Sequence, residues 1–385
     1  MKRIGQVLLL LLLLAAAFVA LNFTKIKRIA TYPFETEITQ EEWYTPLSVV
    51  DGNPVGWMEP KETANIPGHI LEELAQYAGE HQSSALLILH NGQLVLEKYW
   101  EGTTRESTTN SMSMAKTIVG ILIGAAIDDG LIGSEKDPAF QYLPEWANDD
   151  RKNITIEDLL YMQSGLLNDD NSNNLFSDVV NLYMGPNVEK TALNIPAEIA
   201  PATAYDYNNA NTQLLGIIIE RVTGKSIEDY AAQKLWQPIG AHDAGWWLDR
   251  KAGMPKAFCC FFATAQDWAR LGQLFLQKGQ WNGQTIISES WLKKMTTQSS
   301  LERDYGLQMW LMYEDGGYRA KGRTEPFSKA TWAIDGKGKQ HVFIVPELEL
   351  VVVRLGEQPK EWDESIFVNS IDRNMTSGDT LQVAF

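Results

Sequence analysis

Ser113-Met114-Ala115-Lys116 sets a hydroxyl and an amine three residues apart, directly ahead of the apolar run Thr117-Ile118-Val119-Gly120-Ile121-Leu122-Ile123-Gly124. On a helix, positions i and i+3 share a face and reach each other. Serine is a weak nucleophile at neutral pH until a base takes its proton. A lysine shielded from water can be that base, because desolvation disfavours its charged form. The chemistry on offer is covalent acyl transfer through serine. The spacing alone does not discriminate, since Ser290-Trp291-Leu292-Lys293 repeats it. Ser288-Glu289-Ser290 reads there as the capped start of a helix. A helix cap with a surface lysine is the plain alternative for Ser113 too, so the choice rests on what else the chain offers.

Two further stretches bear on it. Tyr205-Asp206-Tyr207-Asn208-Asn209-Ala210-Asn211 holds phenols and amides. A phenol beside an ammonium group has its anion favoured, so a tyrosine here can relay protons. An asparagine two residues on can orient a substrate carbonyl or the lysine. The same stretch also suits a turn that caps a helix beginning near Gln213. In Trp332-Ala333-Ile334-Asp335-Gly336-Lys337-Gly338-Lys339-Gln340, two glycines let a substrate approach the backbone at a sheet edge. An N–H there, paired with that of Ser113, makes an oxyanion hole, and losing one such donor typically costs about 10²–10³ in turnover. A β-bulge or strand entry is the structural alternative.

Taken in order, the three elements resemble the class C β-lactamase and penicillin-binding superfamily of serine hydrolases, which includes esterases and 6-aminohexanoate-dimer hydrolases. Ser113-x-x-Lys116 matches its first motif and Tyr207-x-Asn209 its Tyr-x-Asn. Leu214 to Gly224, Leu159-Leu160 through Ser164-Gly165-Leu166, and Ala263 to Gly272 resemble further landmarks, so the likeness covers about residues 80–356. Ser290 fails the pattern because it follows the tyrosine. The third motif departs from the Lys-Thr-Gly or His-x-Gly common in the family. Gly336-Lys337-Gly338 is closer to the glycine-rich version of the 6-aminohexanoate-dimer-hydrolase-like members, and Lys337 or Lys339 remains as a cation for an acidic substrate group. The resemblance implies Ser113 as nucleophile and Lys116 with Tyr207 as a coupled base and proton donor, Tyr207 being favoured over Tyr205. It implies Asn209, Gly336, Lys337 and Gly338 at the substrate or oxyanion position, with the amides of Ser113 and Lys337 holding the oxyanion. Neither metal nor organic cofactor is called for.

The elements that must position these groups are legible in outline. Pro67–Gly79, Ser113–Asp129, Ile154–Met162, Gln213–Thr223, Trp268–Lys278 and Ser290–Thr296 carry helical patterns, two of them closed by Gly130 and Gly224. Ala85–His90 and Leu94–Trp100 read as strands joined at Asn91-Gly92, a hairpin signal. His341–Val345 and Leu350–Leu355 are strands about a turn at Pro346-Glu347. Residues 164–201 look like an irregular rim to a cleft. Strands at both ends with helices between predict an α+β fold: an antiparallel sheet packed against helices, with a mostly helical second lobe.

Composition bounds the class. The 385 residues suffice for one large domain, and a net charge of −16 repels phosphate backbones, which excludes nucleic acid as a partner. Lys2-Arg3 precede fifteen unbroken apolar residues, Val7 to Leu21, within a twenty-residue stretch from Ile4 to Phe23. That is long enough for a membrane anchor. Ala15-Ala16-Ala17 also offers a signal-peptide cleavage site, but Lys25, Lys27 and Arg28 follow, which tips the reading toward an uncleaved anchor. The expected organisation is 1–30 signal or anchor, 31–79 an extended lead-in and first helix, and 80–375 the hydrolase domain, exported and held outside the cytoplasm. Cys259 and Cys260 are adjacent, a pairing that seldom bridges, and read as small buried apolar residues. The five histidines are scattered, and no G-x-S-x-G, H-E-x-x-H or P-loop pattern occurs.

The function expected from these readings is a serine hydrolase that cleaves a small-molecule amide or ester through an acyl-enzyme. A peptidoglycan D-alanyl-D-alanine carboxypeptidase and a non-catalytic, membrane-tethered binding protein are the alternatives. Oligomeric state is not encoded in any pattern recognised.

Overall fold

A computed structural model describes residues 2–63, 65–100, 102–312 and 325–375. The chain starts with helices α1 (Lys2–Leu21) and α2 (Phe23–Ala30), then strand β1 (Leu47–Val50) and helix α3 (Gly68–Glu80). The hairpin of β2 (Ser83–His90) and β3 (Gln93–Tyr99) follows, turning at Asn91 and Gly92, both with positive φ. Next come β4 (Thr108–Asn110), α4 (Ala115–Asp128), α5 (Ile156–Leu160), α6 (Asp178–Met184), α7 (Val188–Asn194), α8 (Asn209–Thr223) and α9 (Ile227–Ala231). Strands β5 (Ala244–Trp247) and β6 (Phe261–Thr264), helix α10 (Ala265–Leu276), the small hairpin β7–β8 (Gln280–Trp281, Gln284–Thr285) and α11 (Glu289–Met295) lead to the last strands. These are β9 (Trp310–Met312), β10 (Thr331–Gly336), β11 (Gln340–Val345) and β12 (Leu350–Gly356), before α12 (Ser365–Asn374).

The main sheet is antiparallel with strand order β3-β2-β12-β11-β10-β9. Its strands are apolar at successive positions because both faces are covered. Leu87, Leu89, Val342, Ile344, Val351 and Val353 pack toward α10 and the helical lobe, and Leu86, Ile88, Phe343, Val345 and Val352 pack toward α3 and α12. The period-two alternation of a strand assigns one set to each core. Burying one such side chain contributes about 1.5–3 kcal/mol. The expected α+β plan is what forms, including the helical lobe built on α4 and α8.

Helix α4 is buried on nearly every side, as its unstriped apolar sequence requires. Gln308 ties it to the lobe: its carbonyl accepts from Thr117 at 2.8 Å, its side-chain oxygen accepts from Thr212 of α8 at 2.6 Å, and its amide donates to Leu160 O at 2.8 Å. A second sheet, β1-β5-β6-β4, lies beside the lobe, and β4 feeds the chain into the turn before α4.

Three expectations are corrected. The apolar stretch Ile4–Phe23 does not continue as one span: the chain breaks at Asn22, α1 and α2 meet at 73°, and no single helix among the described residues is long and apolar enough to cross a membrane, although the bent pair together has the length and composition. Residues 164–201 are not wholly irregular, since Ser177 caps α6 and α7 follows. Cys259 and Cys260 are joined to each other. Cys260 has φ 63°, and a left-handed residue cancels the alternation that would send neighbouring side chains to opposite sides.

Candidate active site

Ser113 lies in a single 3₁₀ turn, Met112–Met114, immediately before α4. From Ser111 to Gly120 it alone is not buried. The turn is held from both sides. The Ser111 amide donates to Phe261 O at 3.0 Å, the Phe261 amide returns a bond to Ser111 Oγ at 3.1 Å, and the Met112 amide donates to Asn110 Oδ1 at 2.9 Å. Met112 is forced to φ 48°, which a residue with a side chain adopts only when its surroundings impose it. The tight turn therefore presents the Ser113 side chain outward from an otherwise sealed segment.

Lys116 is 2% exposed. Its Nζ lies 3.0 Å from Ser113 Oγ and donates to Phe258 O at 2.9 Å. The amine also sits over the Tyr207 ring, 4.9 Å from its centroid. Among the described residues it forms no ion pair. Burial without a counter-charge pulls its pKa down to about 7. A lysine in this state holds a lone pair for an appreciable part of the time at neutral pH.

Tyr207 stacks on Trp310 at 5.5 Å and meets Tyr305 edge-on at 6.0 Å. Tyr205 packs on Tyr305 instead, 5.5 Å between centroids. Asn208 caps α8, accepting from the Ala210 amide at 2.9 Å and donating to Leu167 O at 3.1 Å. Asn209, the first residue of α8, lines the same cavity as Ser113. Asn208 thus takes the capping role, and its neighbour Asn209 lies at the cavity.

Gly336 ends β10 against the Ser113 turn. A Cβ at this position would lie 2.3 Å from Ser111 O, so only glycine lets the strand come so close. Lys337 follows at the cavity lip, and its ammonium pairs at 2.7 Å with the buried carboxylate of Glu37. Gly338 turns inward: its carbonyl accepts from the buried Arg354 at 2.7 Å, and the residue does not line the cavity. Lys339 pairs with Glu364 at 3.1 Å. Ser113, Lys116, Tyr207, Asn209, Gly336 and Lys337 are therefore gathered at one place, with Gly338 behind them. Ser290 stands on α11, its hydroxyl 3.4 Å from Ser288 Oγ.

The cavity above Ser113 measures about 420 Å³, and apolar side chains form most of its wall. Several of these were not found by motif reading: Ile29, Tyr32 and Phe34 from the N-terminal segment, Val180 and Tyr183 from α6, and Phe258 and Cys259 from the turn that also accepts from Lys116. No local pattern marks them, because they are recruited from distant stretches. Among the described residues no group of three or more His, Cys, Asp or Glu could hold a metal ion.

The sequence matches the family described as Beta-lactamase over residues 71–365. It is 24% identical over 300 residues to a 6-aminohexanoate-dimer hydrolase of Paenarthrobacter ureafaciens, covering 75% of this chain and 76% of that protein. Among solved structures, a Bacillus anthracis protein assigned as a 6-aminohexanoate-dimer hydrolase superposes with a TM-score of 0.72 at 22% identity, covering 88% of this chain and 92% of the other. A penicillin-binding protein of Bacillus halodurans superposes with a TM-score of 0.58 at 18% identity, covering 80% and 98%.

Proposed function

The chain belongs to the beta-lactamase family, a fold family of hydrolases, and on that premise we propose that it is a serine hydrolase acting on an ester or amide through an acyl-enzyme. The observation that carries the proposal is the contact of a buried amine, its pKa lowered to about 7, with the hydroxyl that faces the cavity.

Neutral Lys116 accepts the Ser113 proton as Oγ bonds to the substrate carbonyl carbon. Carbonyl electrons move onto the oxygen, which the amides of Ser113 and Lys337 stabilise. Collapse of the intermediate expels the alcohol or amine, which leaves with a proton passed through Lys116 and Tyr207. Water then repeats the sequence on the acyl-enzyme, releasing the acid and restoring Ser113. The two relay groups titrate as a pair. Asn209 orients the substrate carbonyl. Gly336 keeps the oxyanion strand against the serine turn, and Gly338 shapes the loop that carries the Lys337 amide.

The reading favours a substrate without a terminal carboxylate. Lys337, a cation lining the cavity, is already paired with Glu37, which weakens it as a receptor for the acid group of a β-lactam or of a D-alanyl terminus. Labelling with an activated fluorophosphonate and mapping the adduct by mass spectrometry tests the assignment. The adduct is expected on Ser113; an adduct on Ser290, or esterase turnover surviving in Ser113→Ala, overturns it.

A further inference from the structure

Resting on that serine-hydrolase reading, we propose that the substrate is a membrane-borne amphiphile, an ester whose apolar acyl chain enters the cavity from a lipid bilayer into which α1 inserts. Three independent observations converge on one face of the molecule.

The first is α1 itself. Val7 to Leu14 are each more than half exposed, so this part of the helix is apolar around its circumference and uncovered among the described residues. A helix with apolar residues on every side belongs in an apolar medium, and no element among the described residues supplies one. The second is charge. Lys2, Arg3, Lys25, Lys27 and Arg28 are the charged side chains of the first thirty-four residues, and Glu35 is the first acid; Lys25 and Arg28 are bonded to the body, which leaves Lys2, Arg3 and Lys27 for a headgroup layer. In a chain of net charge −16, this one segment is cationic, as an anionic headgroup layer requires.

The third observation joins the helix to the cavity. Phe18 of α1 meets Phe176 with centroids 6.1 Å apart. After the 73° bend, α2 is fastened to the body: Lys25 donates to Leu175 O and to Asn181 Oδ1, both at 2.8 Å, and Arg28 donates to Met184 O and Gly185 O at 3.2 Å and to Asp249 O at 2.9 Å. Ile29 and Phe34 then form part of the cavity wall while remaining exposed, Phe34 to 75%. Phe23 and Phe176 are exposed as well, 60% and 62%. Large exposed apolar side chains thus run from the end of α1 to the mouth of the cavity, and such a patch marks an interaction surface. Inside, Val180, Tyr183 and Met112 continue an apolar lining toward Ser113. An acyl chain leaving a bilayer along this path stays in apolar contact until its carbonyl reaches Ser113 Oγ. The ester alcohol departs with a proton, the acyl group bonds to Oγ, and water releases the free acid.

The test uses the full-length protein and two kinds of substrate. With soluble p-nitrophenyl esters, kcat/KM should rise from acetate to octanoate by about tenfold or more, since each buried methylene contributes roughly 0.8 kcal/mol. With p-nitrophenyl palmitate carried in mixed phosphatidylcholine–phosphatidylglycerol vesicles, the combined variant Leu9→Gln, Leu11→Gln, Leu13→Gln should lose about tenfold or more in rate while hydrolysing the soluble butyrate ester as before. A flat or falling chain-length profile overturns the proposal, as does wild-type hydrolysis of the vesicle-borne ester by the variant. Either result leaves the serine mechanism standing. That mechanism fails separately, if Ser113→Ala still turns over the soluble esters.

Discussion

The chain writes the same spacing twice, and the two copies meet different fates. Ser113 and Lys116 sit where a 3₁₀ turn enters a helix buried on nearly all sides, and the lysine is shielded from solvent and, among the described residues, paired with no carboxylate. Ser290 and Lys293 sit on α11, both exposed. A motif is chemistry only when the fold strips one partner of solvent. Lys256 sharpens the point from the other side. It is also fully buried, and desolvation pulls its pKa down as well, yet its Nζ donates to Leu182 O at 2.7 Å and Gly185 O at 3.2 Å. Carbonyl acceptors have no proton to give, so the buried amine there serves as a structural hydrogen-bond donor, whereas beside a hydroxyl it is a candidate base.

The largest expected effect tests the two copies directly. Ser113→Ala should lower esterase turnover on the order of 10⁶-fold, while Ser290→Ala should leave kcat/KM within about twofold; steady-state assays of both variants decide it, and a large loss at Ser290 would collapse the contrast. Lys116→Met should cost about 10³–10⁴ in kcat with no loss of thermal midpoint. The sign follows from burial: the folded-state pKa is near 7 and the unfolded value near 10.5, so the unfolded chain binds the extra proton between those limits and stability rises with pH across the window. Calorimetry should find that rise smaller in the variant. In the wild type, kcat/KM should fall about tenfold per pH unit below 7, because the protonated amine cannot take the serine proton.

Gly336→Ala should reduce kcat by about 10²-fold with little change in KM for a small ester. The added Cβ would fall 2.3 Å from Ser111 O and push the end of β10 off the serine turn. The smallest effect is expected at Glu37→Gln, about two- to fivefold in kcat/KM, since the pairing with Lys337 is partly exposed. An effect as large as that of Gly336→Ala would mean that this ion pair, rather than strand packing, sets the position of the Lys337 amide.

What could be read in the sequence was what is local. Ser113 and Lys116 are three residues apart, Asn91-Gly92 fixes its own hairpin, and Gly224 ends α8 with φ 65°. The sheet was legible because the paired strands at the C-terminus carry the unbroken apolar runs Val342–Val345 and Leu350–Val353. The cavity wall was not, because Ile29, Tyr183 and Phe258 come together only in the tertiary fold. The Cys259–Cys260 bond was missed because it depends on a left-handed residue that is not a glycine. Helices α6 and α7 were missed because seven residues give too few turns for periodicity to register.

The fastening of α2 has a practical side. Lys25 and Arg28 close off backbone oxygens at both ends of α6, so shortening the protein to ease its handling has a natural stopping point. Trimming back to Asn22 removes the exposed apolar helix α1 and keeps these clamps. Starting at Thr31 instead would remove Ile29 from the cavity wall and bare the oxygens those cations cover.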